Sequence, residues 1–333
     1  MKIRPDTWQS FYGGAVEPGE ERPQRKYTIE LDVETEAFRF GGCSVPPFQV
    51  KENVVAFVDG VRRVDLHAIV EGIPPRFGLF GSVATGALVM EGGKVRDLSL
   101  ALREVRVGRF FVTNVPDPVE RVLSARPAGN ALGPLSYSVR MSSGADPASF
   151  NNVLMNEMGG SEAEISALLS RDPGLHLVCS DGPIPFERSP TSDPGKLAGI
   201  IKSVHEFYLP SPQLGVVAAL HLGERTHLFS IRYEDARTSK FSCFVRIQAT
   251  GPYGSSFSNL VRLEIPLIPR TEAVRLADRA AAVAIRFASG LYADARAPQN
   301  LYPVAALESA LKNRLGDSRL VRNRLLTMLG GIA

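Results

Sequence analysis

The chain has 333 residues, 44% hydrophobic and 22% charged, with a formal net charge of +3; this is enough for a sizeable core in one large domain or two modest ones, and the overall charge does not by itself demand a nucleic-acid partner, so local charge must carry any such reading. Three unclustered cysteines, Cys43, Cys179 and Cys243, form no disulfide framework and fit a reducing interior. Met1–Ser10 has no apolar leader core, and the longest apolar run, Ala280–Ile285, is far short of the roughly 18 residues of a membrane span, so a cytoplasmic protein without a membrane partner is expected.

Residues 1–25 are polar and rich in Gly, Pro and Glu, which predicts an arm. From Tyr27 to Phe40, Ile29, Leu31 and Val33 alternate with Glu30, Asp32 and Glu34, the period of a strand. Val54–Val58 is a continuous apolar run closed by Asp59-Gly60. Arg63–Val70 alternates, and Leu79–Met90 is apolar with interspersed glycines. Short connections between them predict an antiparallel meander, with a further strand over Leu98–Val107. Residues 113–150, rich in Pro, Gly, Ser and Asn, read as a long connection or a loop-rich insertion.

Ser161 with Glu164 three residues on resembles a capping box, so a helix is expected through Ile165 and Leu169, stopped by Asp172-Pro173-Gly174. Leu175–Ser180 is a second apolar run closed by Asp-Gly, at Asp181-Gly182. After a Pro/Ser-rich loop over 183–195, a helix is expected near Leu197–Phe207. Strands are expected at Gly215–Leu222, Thr226–Tyr233, Ser242–Ala249 and Leu260–Ile265. Ala277, Ala280, Ala281, Ala284, Phe287, Ala288 and Leu291 share one helical face, and another helix is expected over Val304–Leu315. The order predicts an α/β chain with a mixed sheet and helices on its faces. Residues 1–50 form an arm and lead-in strand, and 51–333 the main domain.

If the runs ending at Asp59 and Asp181 are neighbouring strands, both carboxylates emerge at one rim. With Glu164 they make an oxygen-lined site for a hard divalent cation, which can activate water for phosphodiester cleavage. The competing reading is plain: Asp-Gly is also the commonest hairpin turn, and Glu164 completes a helix cap.

Phe57-Val58-Asp59-Gly60-Val61-Arg62-Arg63 resembles the first motif of the NurA family of DNA end-processing nucleases. Glu164 followed by a strand ending at Asp181-Gly182, Gly199-Ile200-Ile201-Lys202-Ser203, Phe244-Val245-Arg246, Val261-Arg262-Leu263-Glu264-Ile265-Pro266 and Leu301-Tyr302-Pro303-Val304-Ala305-Ala306-Leu307-Glu308 resemble its later motifs, in the family's order over about residues 54–315. The resemblance implies a ribonuclease-H-like fold and manganese- or magnesium-dependent exo- and endonuclease activity on DNA in recombinational repair. It also implies a homodimer and a HerA-type hexameric ATPase partner. Its metal ligands would be Asp59, Glu164 and Asp181. Lys202 would neutralise phosphate, Tyr302 would position the scissile group or water, and Arg62, Arg63, Arg246 and Arg262 would contact DNA. The chain departs from the family at Ala310, where a His is common, and none of its five histidines lies near the C-terminus. That departure leaves a second expectation beside the first, a catalytically weakened DNA-binding subunit of an ATPase complex.

Overall fold

In the computed structural model the described residues are 3–5, 26–47, 54–94, 101–116, 122–125, 134–184, 193–202, 206–234, 239–250, 254–290 and 298–330. Most of the expected polar arm, 185–192 of the Pro/Ser-rich loop and Leu98–Leu100 lie outside them.

Asp59-Gly60 is not a turn. After the short strands β1 (Ile3–Pro5), β2 (Tyr27–Glu30) and β3 (Gly42–Ser44), one seventeen-residue strand, β4 (Val54–Val70), runs straight through it. β4 pairs antiparallel with β5 (Arg76–Glu91) along its whole length, with Asp59 opposite Gly86 and Gly60 opposite Thr85. β5 pairs antiparallel with β6 (Leu102–Thr113). The meander therefore stands, with one strand where two were expected. The chain instead reverses at Glu71–Pro75, where Gly and two prolines interrupt the ladder.

Region 113–150 is more ordered than its composition suggests. It holds β7 (Val122–Ala125) and β8 (Leu135–Met141), β8 lying parallel to β6. Helix α1 (Pro147–Ser170) starts well before Ser161. Its N-cap is Asp146, which accepts a hydrogen bond from the Ser149 N–H, and Pro147 fills the first helical position.

β9 (Leu177–Asp181) lies parallel to β4, and β10 (Leu197–Ile201) parallel to β9. The helix expected near Leu197–Phe207 is thus a strand over its first five residues, all buried. A continuous apolar run of that length has no period to separate the two states. The strand expected at Gly215–Leu222 is corrected in the opposite direction, to α2 (Ser211–Ala219), entered through Pro210 and Pro212. β11 (Glu224–Thr226), β12 (Phe229–Tyr233), β13 (Lys240–Arg246) and β14 (Leu260–Ile265) follow, then α3 (Arg270–Phe287), α4 (Tyr302–Arg314) and α5 (Ser318–Leu329).

The main sheet order is β2-β12-β13-β14-β10-β9-β4-β5-β6-β8-β7, with β1 on β4 and β3 on β11. β2 and β3 are therefore woven into the sheet, on β12 and β11. Alternation along β4 and β9 assigns the two faces. Val55, Phe57, Leu177 and Cys179 pack with α3 and α4, through Phe287, Leu307 and Leu311. Ala56, Val58 and Val178 pack with Ile165 and Leu169 of α1. Among the described residues, no helix is long and apolar enough to cross a membrane.

Candidate metal centre

The parallel pairing of β4 with β9 ends at Val58 opposite Ser180, so the next residues on each strand are the two aspartates. Both continue the alternation that faces α3 and α4. From α4 a third carboxylate arrives, Glu308. Ligand oxygens of Asp59, Asp181 and Glu308 all lie within 4.8 Å of one another.

Asp59 is buried. Its Oδ1 accepts from the Gly60 N–H at 2.8 Å, while Oδ2 is buried with no hydrogen-bond partner. Burial pushes its carboxyl up to about 8; the Asp181 charge adds to this, and Glu162 adds further, against the Gly60 N–H and Lys202. A buried carboxylate with an idle oxygen is costly unless something pairs with it. Asp181 is held by Lys202, whose Nζ lies 2.8 Å from Oδ2 and also donates to Asn300 Oδ1 at 3.1 Å. Gly182 follows at φ +103, a conformation that L side chains rarely adopt, so the chain turns away as soon as the carboxylate is delivered. Glu308 also meets Lys312, one helical turn on, at 3.2 Å.

Glu164 is not in this group. Its side chain is 65% exposed and pairs with Arg106 at 2.7 Å. The α1 carboxylate that bears on Asp59 is Glu162, two positions earlier and about 200° away around the helix. Gly60 makes room for it, since a Cβ at position 60 would collide with Glu162 Oε1. Tyr302 stands at the start of α4, exposed, where its hydroxyl accepts from the Gly290 N–H at 2.9 Å. Lys202, expected to neutralise phosphate, lies beside Asp181.

Of the four arginines expected to meet DNA, only Arg62 is exposed; it donates to Asn151 at 2.9 Å. Arg63 turns inward to Asp65 and to the carbonyls of Leu315 and Gly316. Arg246 is buried and spends its guanidinium on the carbonyls of Ala218, Leu220, Ser256 and Ser258. Arg262 is buried against Glu264 and the Tyr208 ring. Arg246 and Arg262 are therefore structural, and the expectation that they reach a phosphate backbone is corrected.

Three residues at the centre escaped the sequence reading: Glu308, Glu162 and Asn300. Glu308 ends the quoted Tyr-Pro segment, and that position was its only signal. The donor set fits a hard cation, because it is all oxygen and includes the unpartnered Asp59 Oδ2. Comparison with models of known protein families gives no match for this chain, and none of the curated proteins compared with it matches either, so the acidic centre stands on its geometry.

Proposed function

We propose that the chain is a divalent-cation-dependent phosphodiesterase that cleaves DNA. The observation that carries the reading is the meeting of Asp59, Asp181 and Glu308 around a buried, unpartnered carboxylate oxygen. The sheet order supports it. Three antiparallel strands, β4 to β6, are followed by β9 and β10 laid parallel on the other side of β4, an order compatible with the ribonuclease-H-like core of the reading.

In this reading Asp59, Asp181 and Glu308 hold manganese or magnesium. The bound cation supplies a more acidic water and charge neutralisation at phosphorus. The chain's own groups do the rest. Asp59, whose carboxyl burial pushes upward, would have to be ionised to serve as a ligand. Lys202, fixed by Asp181 and Asn300, supplies a second positive charge at the rim. Arg62, three residues beyond Asp59 on β4 and the exposed one of the four expected arginines, is the candidate for the DNA backbone. A homodimer, a HerA-type hexameric ATPase partner, a role in end processing and a cytoplasmic setting rest on the NurA resemblance alone. Ala310 motivates the second reading, a DNA-binding subunit without cleavage.

The test incubates the purified chain with single- and double-stranded DNA and manganese. Cleavage that disappears in Asp59→Ala supports the enzyme. DNA binding without cleavage under any divalent ion supports the second reading.

A further inference from the structure

We propose that Arg63 and Arg109, anchored on buried Asp65, are positioning residues that set the height of Glu308 against the two aspartates; the inference rests on the cation-site reading above.

Both arginines grip one end of α4. Arg63 donates to Gly316 O at 2.7 Å and Leu315 O at 3.2 Å, and Arg109 to Leu315 O at 3.0 Å. These carbonyls close the C-terminal end of the helix, where the last groups lack intrahelical partners and the dipole favours positive charge. The grip is itself fixed from below. Asp65 is buried and accepts from Arg63 Nε at 2.8 Å, from Tyr137 at 2.9 Å and from Ser82, which in turn accepts from Arg109 at 2.5 Å. The three strands of the meander thus hold one helix end through a single buried carboxylate.

The spacing gives the grip its consequence. Asp59 and Arg63 lie four residues apart on β4, on the same face, about 13 Å along a strand. Glu308 and Leu315 lie seven residues apart on α4, about 10 Å along a helix. One strand therefore carries both the carboxylate and the grip, and one helix carries both their counterparts. Sliding α4 by a single residue would move Glu308 by about 1.5 Å and turn it about 100°, which takes its oxygen out of the group.

Manganese binding to the full chain, measured calorimetrically with the metal alone, tests this in a double-mutant cycle of Arg63→Met and Glu308→Ala. Arg63→Met is expected to weaken binding about tenfold or more, with Arg63→Lys recovering part of the loss. In the Glu308→Ala background the same change is expected to shift affinity less than about twofold. An equal loss with and without Glu308, or no loss with it, overturns the proposal. Absence of manganese binding by the unaltered chain overturns the cation-site reading and the proposal with it, and is distinguishable from the other two results. If Arg63→Met does not fold, Arg109→Met removes one of the two grips on Leu315 and enters the same cycle.

Discussion

Two clusters of buried charge in this molecule look alike by composition and differ in how far they are satisfied. At β11, Arg225 is almost wholly buried. It is bidentate to Glu34 at 2.8 Å on both oxygens, bonded to Asp278 at 2.7 Å, and donates to Thr226 O at 3.0 Å. Burial alone would raise the Glu34 carboxyl, yet the Arg225 bonds and charge bring it below its ordinary value. Glu34, Cys43 and His227 lie close enough to hold an ion. The oxygens of Glu34 are already taken by Arg225 and the Leu228 N–H, however, and His227 Nδ1 by the Gly41 N–H. At β4, Asp59 is also buried, its carboxyl is pushed upward, and one oxygen has nothing to bind. A satisfied cluster fixes the fold, and an unsatisfied one is poised for a partner.

The comparison breaks most visibly by substitution. Asp59→Ala is expected to lower DNA cleavage about a thousandfold or more while the protein stays folded, read by gel assay beside circular dichroism. Arg225→Met should do the reverse. It strands Glu34 and Asp278, costs ~3–5 kcal/mol of stability in denaturant titration, and leaves manganese affinity of the folded protein unchanged. Next in size is the response to the cation itself. Manganese at about a hundred times its dissociation constant should stabilise the chain by ~2.7 kcal/mol, and Asp59→Asn should abolish that gain.

A third test uses pH. The folded value of Asp59, about 8, stands above an unfolded value of ~4. Between those values the folded chain keeps a proton that the unfolded chain has lost, so the contribution of this group to stability is full below about pH 4 and is lost as pH rises through about 8. The cation-free protein should lose up to ~1.4 kcal/mol per pH unit across that window. Asp59→Asn should flatten the slope, and manganese affinity should climb as pH rises. The smallest effect belongs to Glu164→Gln. Glu164 sits in an exposed pair with Arg106, so stability should move by no more than about 0.5 kcal/mol and cleavage by less than about twofold.

The aspartates could be read from the chain because each closes a continuous apolar run, and such runs mark strands buried on both faces. The third ligand could not. A carboxylate on a helix becomes a ligand only through the helix's rotation and height, and those are set by contacts such as Arg63 with Leu315 that join distant segments. The expectation of Glu164 as a ligand rests on its place on the helix before the second apolar run and on the NurA resemblance, with a helix cap as its competing reading. With the helix starting at Pro147, the cap reading falls as well, and rotation along α1 brings Glu162, not Glu164, to Gly60 and Asp59. Short apolar segments caused the two exchanged elements, β10 and α2, where five to nine residues carry too little period to decide.

The unbroken run of β4 leaves the acidic centre with one rigid bank and one open one. On the β5 side the ladder continues past Asp59 to Val70, whereas on the β9 side it stops at Val58. The Gly60 amide, lacking a strand partner there, turns to the Asp59 carboxylate instead. Deuterium should accordingly enter at Gly60 early and reach the amides of Val55–Val58 only when the whole sheet opens, so a polymer approaching the carboxylates would meet a margin outside the strand ladder on a wall that does not yield.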